Sequence, residues 1–168
     1  MAIFLRVDDK LCHGQTTYVW IKKLKIDRLI IANDRLVYDE FSKVILNLSK
    51  PFGIEQEVLT VDQALVRLSK ASGSENLLIL VGSIEDAWRM AHSSGRISKV
   101  VIGAVRRHDG AIYCGKHIYL DETELEWCKN MLHQNIHVVC QYAYEDEEIA
   151  LENFIRGALL ENRPEPEE

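Results

Sequence analysis

Residues 77–105, LLILVGSIEDAWRMAHSSGRISKVVIGAV, contain a strand, a helix and a second strand in one short stretch. The apolar runs at 77–82 and 99–105 are continuous rather than alternating, which is typical of strands buried on both faces. Between them, apolar residues recur at three- and four-residue spacings. Ser83 precedes an acidic first turn and Gly95 follows the last turn, as expected at the two ends of a helix. This order predicts a parallel strand–helix–strand unit.

The same alternation extends in both directions along the chain. Further strands are predicted at 2–7, 28–32, 54–60 and 136–142, and further helices at 15–25, 38–50, 61–71 and 122–134. Right-handed crossovers then give a three-layer α/β/α fold with a mostly parallel central sheet. Residues 106–120 break the rhythm, and the Asp109–Gly110 turn signal there favours a small hairpin or an antiparallel edge strand.

The chain has the size and composition of one domain. Its 168 residues are 47% hydrophobic, which suffices for a sizeable core. We expect this domain to span 1–161, with an additional amphipathic helix near 145–161, and a polar tail at 162–168. That helix serves either as a dimer or partner contact or as a cover over the sheet edge, and the sequence does not separate the two.

Charge and cysteine usage narrow the function classes. The net charge of −6 argues against nonspecific binding to nucleic acid or to an anionic membrane. No apolar run approaches the ~18–20 residues that cross a bilayer, and no signal peptide is evident, so we expect a cytoplasmic protein. The four cysteines, Cys12, Cys114, Cys128 and Cys140, form no C-x-x-C pair. We interpret them as reduced thiols, mostly in the core, and expect no metal site.

The loop after the first strand contains the main candidate for chemistry, His13. In parallel sheets ligands gather where strands run into helix N-termini, which favour anions, and Gly14 allows a close approach of the backbone. No phosphate-cradling glycine motif occurs, so no nucleotide cofactor is expected. An imidazole is a competent nucleophile toward a phosphoryl group. Spacing alone also allows an inert loop histidine, with Asp8 and Asp9 as turn residues.

The order of several motifs resembles the IIB components of the mannose/fructose/sorbose family of the bacterial sugar phosphotransferase system. That family opens with a strand, then Arg-(Ile/Val)-Asp-x-Arg-Leu-x-His-Gly-Gln, then a helix with a Trp. The matching residues here are Arg6, Val7, Asp8, Asp9, Lys10, Leu11, Cys12, His13, Gly14, Gln15 and Trp20. The strand ending in Asn33–Asp34, the Pro51–Phe52–Gly53 segment and GKHIYLDETE at 115–124 follow in the expected order, and the similarity continues to about residue 144.

The resemblance implies a role for each residue of the first motif. His13 would accept a phosphoryl group, at Nδ1, from a histidine of a IIA component and pass it to a sugar held by membrane IIC and IID subunits. Asp8 would orient the imidazole, and Gly14 and Gln15 would hold phosphoryl oxygens together with Arg6. Lys10 replaces the usual arginine, so it keeps the charge and loses the planar two-pronged donor. No cofactor is implied.

Two points stay open at this level. Asn33 and Asp34 either help to shape the phosphoryl pocket or cap the next helix. The chain is either a phosphocarrier, at the cytoplasmic side of a membrane permease, or a regulatory module whose phosphohistidine reports sugar flux to a partner protein. A retained fold without phosphorylation is disfavoured by the intact Asp8, His13, Gly14 and Gln15. The sequence fixes neither the sugar nor the oligomeric state, and a homodimer is one alternative.

Overall fold

The computed structural model describes residues 2–11, 14–71 and 73–160. Its strands are β1 (Ile3–Asp8), β2 (Arg28–Ala32), β3 (Glu55–Leu59), β4 (Leu77–Val81), β5 (Lys99–Ala104), β6 (Ile112–Gly115), β7 (Ile118–Leu120), β8 (His137–Cys140) and β9 (Ile149–Ala150). Its helices are α1 (Gly14–Leu24), α2 (Glu40–Leu48), α3 (Val61–Ser69), α4 (Ile84–Ser94), α5 (Glu122–His133) and α6 (Leu151–Leu160), with a 3₁₀ turn at Leu36–Tyr38.

The central sheet has seven strands in the order β3-β2-β4-β1-β5-β8-β9. The first six are parallel, and β9 runs antiparallel to β8 at one edge. The predicted mostly parallel sheet with an antiparallel edge strand is confirmed, although the edge strand is β9 rather than part of 106–120. Residues 106–120 instead form the separate β6–β7 hairpin, which turns at Lys116–His117, after the 109–110 turn.

The two faces of the sheet bury two apolar layers, and β4 contributes to both of them. Leu77, Ile79 and Val81 face α3, α4 and α5, whereas Leu78 and Leu80 face α1 and α2. All five are at most 1% exposed. This alternation follows from the two-residue period of a strand, and it explains why the run LLILV is apolar throughout.

Several helices begin where the sequence predicts. The Thr60 hydroxyl accepts the N–H of Gln63, and the Gln63 side chain accepts the N–H of Thr60, which forms a capping box at the start of α3. Asp121 and Glu124 form the same arrangement at α5, and Ser83 caps α4. Gly95 ends α4 with a φ of 60°, a left-handed conformation that glycine adopts at little cost.

The C-terminal helix is shorter than predicted. We expected it near 145–161, but α6 begins at Leu151, because residues 149–150 pair with β8 as a strand and cannot be helical at the same time. Leu151 is fully buried in the main core, and Phe154 packs against the same core. Strand β9 and helix α6 therefore cover the edge of the sheet beyond β8. The predicted tail at 162–168 lies outside the described residues.

Three of the four cysteines, Cys114, Cys128 and Cys140, are buried free thiols, as the interpretation of core residues requires. Burial raises the pKa of Cys114 to about 11 and that of Cys140 to about 12. Cys12 lies outside the described residues. No helix among the described residues is long and apolar enough to cross a membrane.

Candidate functional site at the carboxyl end of the sheet

The loop after β1 makes a tight turn before helix α1 begins. The Leu11 N–H donates to the Asp8 carbonyl over 2.8 Å, and the Lys10 N–H donates to Asp8 Oδ1 over 3.1 Å. Leu11 has a φ of 54°, an uncommon conformation for a residue with a branched side chain. Its side chain is nonetheless 7% exposed and belongs to the apolar layer under α1. The buried Leu11 side chain therefore anchors this loop.

His13, the predicted nucleophile, lies outside the described residues, as does Cys12. Gly14 is the first residue of α1 and the exposed Gln15 is the second. The first turn of α1 contains no acidic residue, so its free N–H groups present their partial positive charge without competition from a carboxylate of the same turn. This is the local arrangement that suits an anion beside residue 13.

Arg6, in β1, is almost completely buried, with 3% of its surface exposed. Its two terminal nitrogens donate to the carbonyls of Gln141 and Tyr142 over 2.9 and 2.7 Å. One of them also lies 3.6 Å from Asp8 Oδ2. Burial lowers the pKa of the Arg6 guanidinium, and the charge of Asp8 opposes that effect. The described contacts of Arg6 thus tie β1 to the loop after β8.

Gly103 makes room for this guanidinium. A Cβ atom at that position would lie 2.1 Å from Cζ of Arg6, which is far inside van der Waals contact. The pairing of β1 with β5 shifts by one residue at the same level, since Val7 faces Ile102 and Asp8 faces Ala104. Glycine within a strand often marks a bulge or a close approach of another group, and both occur at Gly103.

Asp8 is 6% exposed, at the end of β1. Its carboxylate interacts with Arg6 and with the Lys10 N–H. A carboxylate that is held both by a cation and by a backbone N–H has a fixed direction. Asp8 therefore stabilises the turn through the Lys10 N–H. Its predicted role in orienting the His13 imidazole stays a prediction, since residue 13 lies outside the described residues.

A cavity of about 240 Å³ opens beside this loop. Its wall contains Lys10 and Thr16 from the predicted motif region, and Arg106, Arg107, His117 and Tyr142 from elsewhere in the chain. Lys10, Arg106 and Arg107 are exposed. Arg106 donates to Asp9 Oδ2 through its Nε over 2.7 Å and through its backbone N–H over 2.9 Å. The cavity therefore has a cationic rim suited to a phosphoryl group.

The sequence did not assign Arg106, Arg107, His117 or Tyr142 to this site, although His117 beside the hairpin was a weak candidate for binding. One signal was available: the two arginines directly follow β5, and all parallel strands of a sheet end at the same edge. No comparable signal exists for His117 and Tyr142, whose rings lie 4.2 Å apart, centroid to centroid. They come from the β6–β7 hairpin and from the loop after β8, and only tertiary packing brings them together.

Asn33 and Asp34 line a different depression at the same edge of the sheet, together with Arg35, Ser83 and Arg89. Asn33 Oδ1 accepts the N–H groups of Arg35 and Leu36 over 3.0 and 2.9 Å. Asp34 accepts the Val61 N–H and a charged hydrogen bond from Arg89, which lowers the pKa of its carboxyl. Asn33 thus holds the turn that leads into the 3₁₀ segment and Asp34 contacts the first residue of α3, whereas α2 itself is capped by Asp39. Residues 8–10 do not line this depression.

Among the described residues, the three side chains placed closely enough to hold a metal ion are His108, Asp121 and Glu124, whose ligand atoms lie within 4.8 Å of one another. His108 Nε2 is 3.3 Å from Asp121 and 3.1 Å from Glu124, and its Nδ1 is 2.9 Å from the Arg106 carbonyl. The two carboxylates already cap α5, and the backbone carbonyl and the carboxylates raise the pKa of His108. The contacts of His108 with the two cap carboxylates and the Arg106 carbonyl account for this group.

Residues 2–164 match the model of the sorbose subfamily IIB component of the phosphotransferase system. The chain belongs to this IIB family.

The relatives agree with this assignment. The sorbose-specific EIIB component of Klebsiella pneumoniae is 29% identical to this IIB component over 122 residues, which is 72% of this chain and 74% of that one. The mannose-specific EIIAB component of Escherichia coli is 23% identical over 151 residues, or 89% of this chain, and the match spans only 47% of that longer protein. The crystal structure of manxB from Thermoanaerobacter tengcongensis superposes with a TM-score of 0.84 at 29% identity, covering 92% of this chain and 95% of that one.

Proposed function

We propose that this sugar phosphotransferase component is a phosphocarrier that receives a phosphoryl group on His13 from a IIA component and delivers it to a sugar held by membrane IIC and IID subunits. The observation that best supports this proposal is the loop of residues 8–11. It places a buried, charge-paired Asp8 and the basic Lys10 directly before residue 13 and the helix N-terminus at Gly14. Family membership supports the same chemistry. The protein would then work in the cytoplasm, at the permease.

The proposed reaction has two steps. A nitrogen lone pair of His13, expected at Nδ1, attacks phosphorus, and the nitrogen–phosphorus bond of the donor histidine breaks as the new one forms. A sugar hydroxyl oxygen then attacks the same phosphorus, the bond to His13 breaks, and the hydroxyl proton is lost to solvent. In both steps the chain mainly positions groups and balances charge.

We propose the remaining roles from the family motif, and that of Arg6 from its contacts. Asp8 fixes the imidazole through its other ring nitrogen, and the N–H groups of Gly14 and Gln15 hold phosphoryl oxygens. Lys10 compensates the phosphoryl charge, together with Arg106 and Arg107 on the cavity rim. Arg6 was expected to touch the phosphoryl group. It instead bonds two backbone carbonyls and pairs with Asp8, so we propose that it acts by positioning Asp8 and the 141–142 loop.

The test is transfer from a phosphorylated IIA component to the purified chain, with His13→Ala beside it. We expect an acid-labile, base-stable phosphate on the wild type and none on the variant. The donor is first shown to phosphorylate another IIB component. If it then transfers no phosphate to the wild type, the proposal is overturned. In a second arm, permease membranes and sugar are added. The control is that the same permease forms sugar phosphate with another IIB component. If the labelled chain then forms no sugar phosphate, the regulatory module is favoured instead.

A further inference from the structure

Helix α2 exposes an apolar surface on the side that faces away from the sheet. Phe41, Val44, Ile45 and Leu48 fall within about 100° of the helix circumference, given 3.6 residues per turn. Tyr38 and Phe52 flank them in sequence, and these six residues are named here the α2 surface. Their exposures are 80% for Tyr38, 74% for Phe41, 56% for Val44, 48% for Ile45, 83% for Leu48 and 101% for Phe52.

The core does not require these residues. The buried contact of α2 is made by Leu46, which lies on the other side of the helix and packs in the layer under α1 and α2. The α2 surface is therefore an apolar stripe separate from the buried contact that Leu46 makes with the core. Neighbouring large apolar side chains that are this exposed are uncommon on a monomer and usually mark an interaction site. None of the six lines the cavity beside Lys10.

We propose that the α2 surface binds the same surface of a second copy of this chain, with the two α2 helices antiparallel about a two-fold axis. The first support is charge complementarity. The exposed Asp39 and Glu40 lie at the start of α2, and the exposed Lys50 lies just past its end. Antiparallel packing brings the acidic end of each helix to Lys50 of the other and also opposes the two helix dipoles.

The second support is area. An interface of standard size buries about 800 Å² on each partner. The three aromatic side chains of the α2 surface carry about 150–250 Å² each and are mostly exposed, so they alone supply roughly half of that area or more. An anionic lipid surface is a poorer occupant, because the chain has a net charge of −6 and two carboxylates lie at the rim of the α2 surface.

The experiment measures mass in solution over a concentration series by sedimentation velocity. We expect a wild-type dimer and at least a tenfold weaker dimer, or only monomer, for Leu48→Glu and for Phe41→Asp. Both positions are exposed, so neither change should unfold the chain. The matched control is Val66→Glu, which places the same charge at an apolar residue of α3 that is 53% exposed, and it should leave the dimer intact.

Two further variants test the antiparallel geometry. Lys50→Glu should weaken the dimer, and the exchanged pair Glu40→Lys with Lys50→Glu should restore much of it. Val44 lies near the middle of the stripe, close to the predicted two-fold axis. Val44→Cys in a Cys12→Ser background should therefore form a disulfide to itself under mild oxidation, and Val66→Cys in the same background should not.

A wild type that is monomeric at every concentration would overturn the proposal, as would a dimer that Leu48→Glu leaves unchanged. The proposal would also be overturned if the wild type is a monomer and Leu48→Glu binds permease membranes more weakly than the wild type does. That result would assign the α2 surface to the permease. The mass measurements do not depend on phosphoryl transfer. The dimer can therefore be disproved while the proposed function stands, and the proposed function can be disproved while the dimer stands.

Discussion

At the scale of single residues, the site depends on one buried cation and the glycine that accommodates it. Arg6 bonds two carbonyls of the loop after β8 and pairs with Asp8 of its own strand, so β1 and that loop meet at one guanidinium. Few solvent molecules reach this group, because it is 3% exposed. The two carbonyl partners therefore depend on Arg6 more than on water, which makes the arrangement sensitive to small changes in shape.

Gly103→Ala should therefore destabilise the chain by at least about 1–3 kcal/mol, the usual cost of overpacking, because the added methyl would overlap Cζ of Arg6. The free energy of unfolding from urea denaturation measures this. Gly82→Ala is the matched control, since its nearest neighbour would be the end of the Asn33 side chain at 3.3 Å, and it should cost less. If the urea unfolding curves of Gly103→Ala and of the wild type have the same midpoint concentration and the same slope, the assigned role of Gly103 is contradicted.

Lys10 invites a second test at this scale. If Lys10 compensates phosphoryl charge from the exposed rim of the cavity, Lys10→Ala should slow phosphoryl acceptance from a IIA component by at least about tenfold. This rate loss is smaller than the loss caused by removing a fully enclosed hydrogen-bond donor, because Lys10 is exposed to solvent. Lys10→Arg should transfer at the wild-type rate or faster. The rate of phosphoprotein formation measures this, and a wild-type rate for Lys10→Ala would show that Lys10 is not needed.

At the scale of elements, the start of α5 is stabilised by more than its capping box. The segment 106–111 is held against it by His108, which lies between Asp121 and Glu124 and has its other ring nitrogen at the Arg106 carbonyl. The same segment carries Arg106 and Arg107, which line the cavity. The ion pair thus links the end of a helix to the position of the cationic rim.

The raised pKa of His108 predicts a pH dependence of stability. Its contribution is fully present below its ordinary pKa of 6.5 and is lost as the pH rises through the higher value in the folded chain. The free energy of unfolding of the wild type should therefore exceed that of His108→Gln by more at pH 5.5 than at pH 8.5. Urea denaturation at both pH values tests this. His133→Gln, at the other end of α5, is the control, and a constant difference between the wild type and His108→Gln would contradict the ion pair.

At the scale of the whole molecule, the C-terminal segment completes the sheet. The sequence allowed a partner contact or an edge cover for the last helix. The contacts of β9 with β8, and the burial of Leu151 and Phe154 against the main core, favour the edge cover. An exposed β8 edge would present unpaired backbone groups to other chains, so this cover also protects against aggregation.

Leu151→Ala should destabilise the chain by about 2–5 kcal/mol, because Leu151 is completely buried and the shortened side chain leaves a cavity. The exposed neighbour Glu152→Ala should change the free energy of unfolding by no more than about 0.5 kcal/mol. Urea denaturation compares the two variants. A Leu151→Ala change as small as that of Glu152→Ala would mean that α6 contributes little to the core.

Most of the fold was predictable from local pattern. The run at 77–81 is apolar on both faces because both faces of β4 are covered, and the caps at Thr60, Ser83 and Asp121 fall where the strands end. The start of α6 was wrong by six residues, because residues 149–150 have apolar side chains compatible with either a helix or a strand. Pairing with β8, a long-range contact, determined the choice.

The sequence by itself determined the alternation of strands and helices, the family motif and the placement of Asp8, Lys10, Gly14 and Gln15 around residue 13, because all of these depend on neighbours along the chain. Only the tertiary structure decided which other residues join them. Arg106, Arg107, His117 and Tyr142 reach the cavity from β5, the hairpin and the loop after β8. It also decided that Arg6 is buried and that Phe41 and Leu48 are exposed. Apolar spacing gives a helix its faces, but the packing of the sheet selects which face is covered.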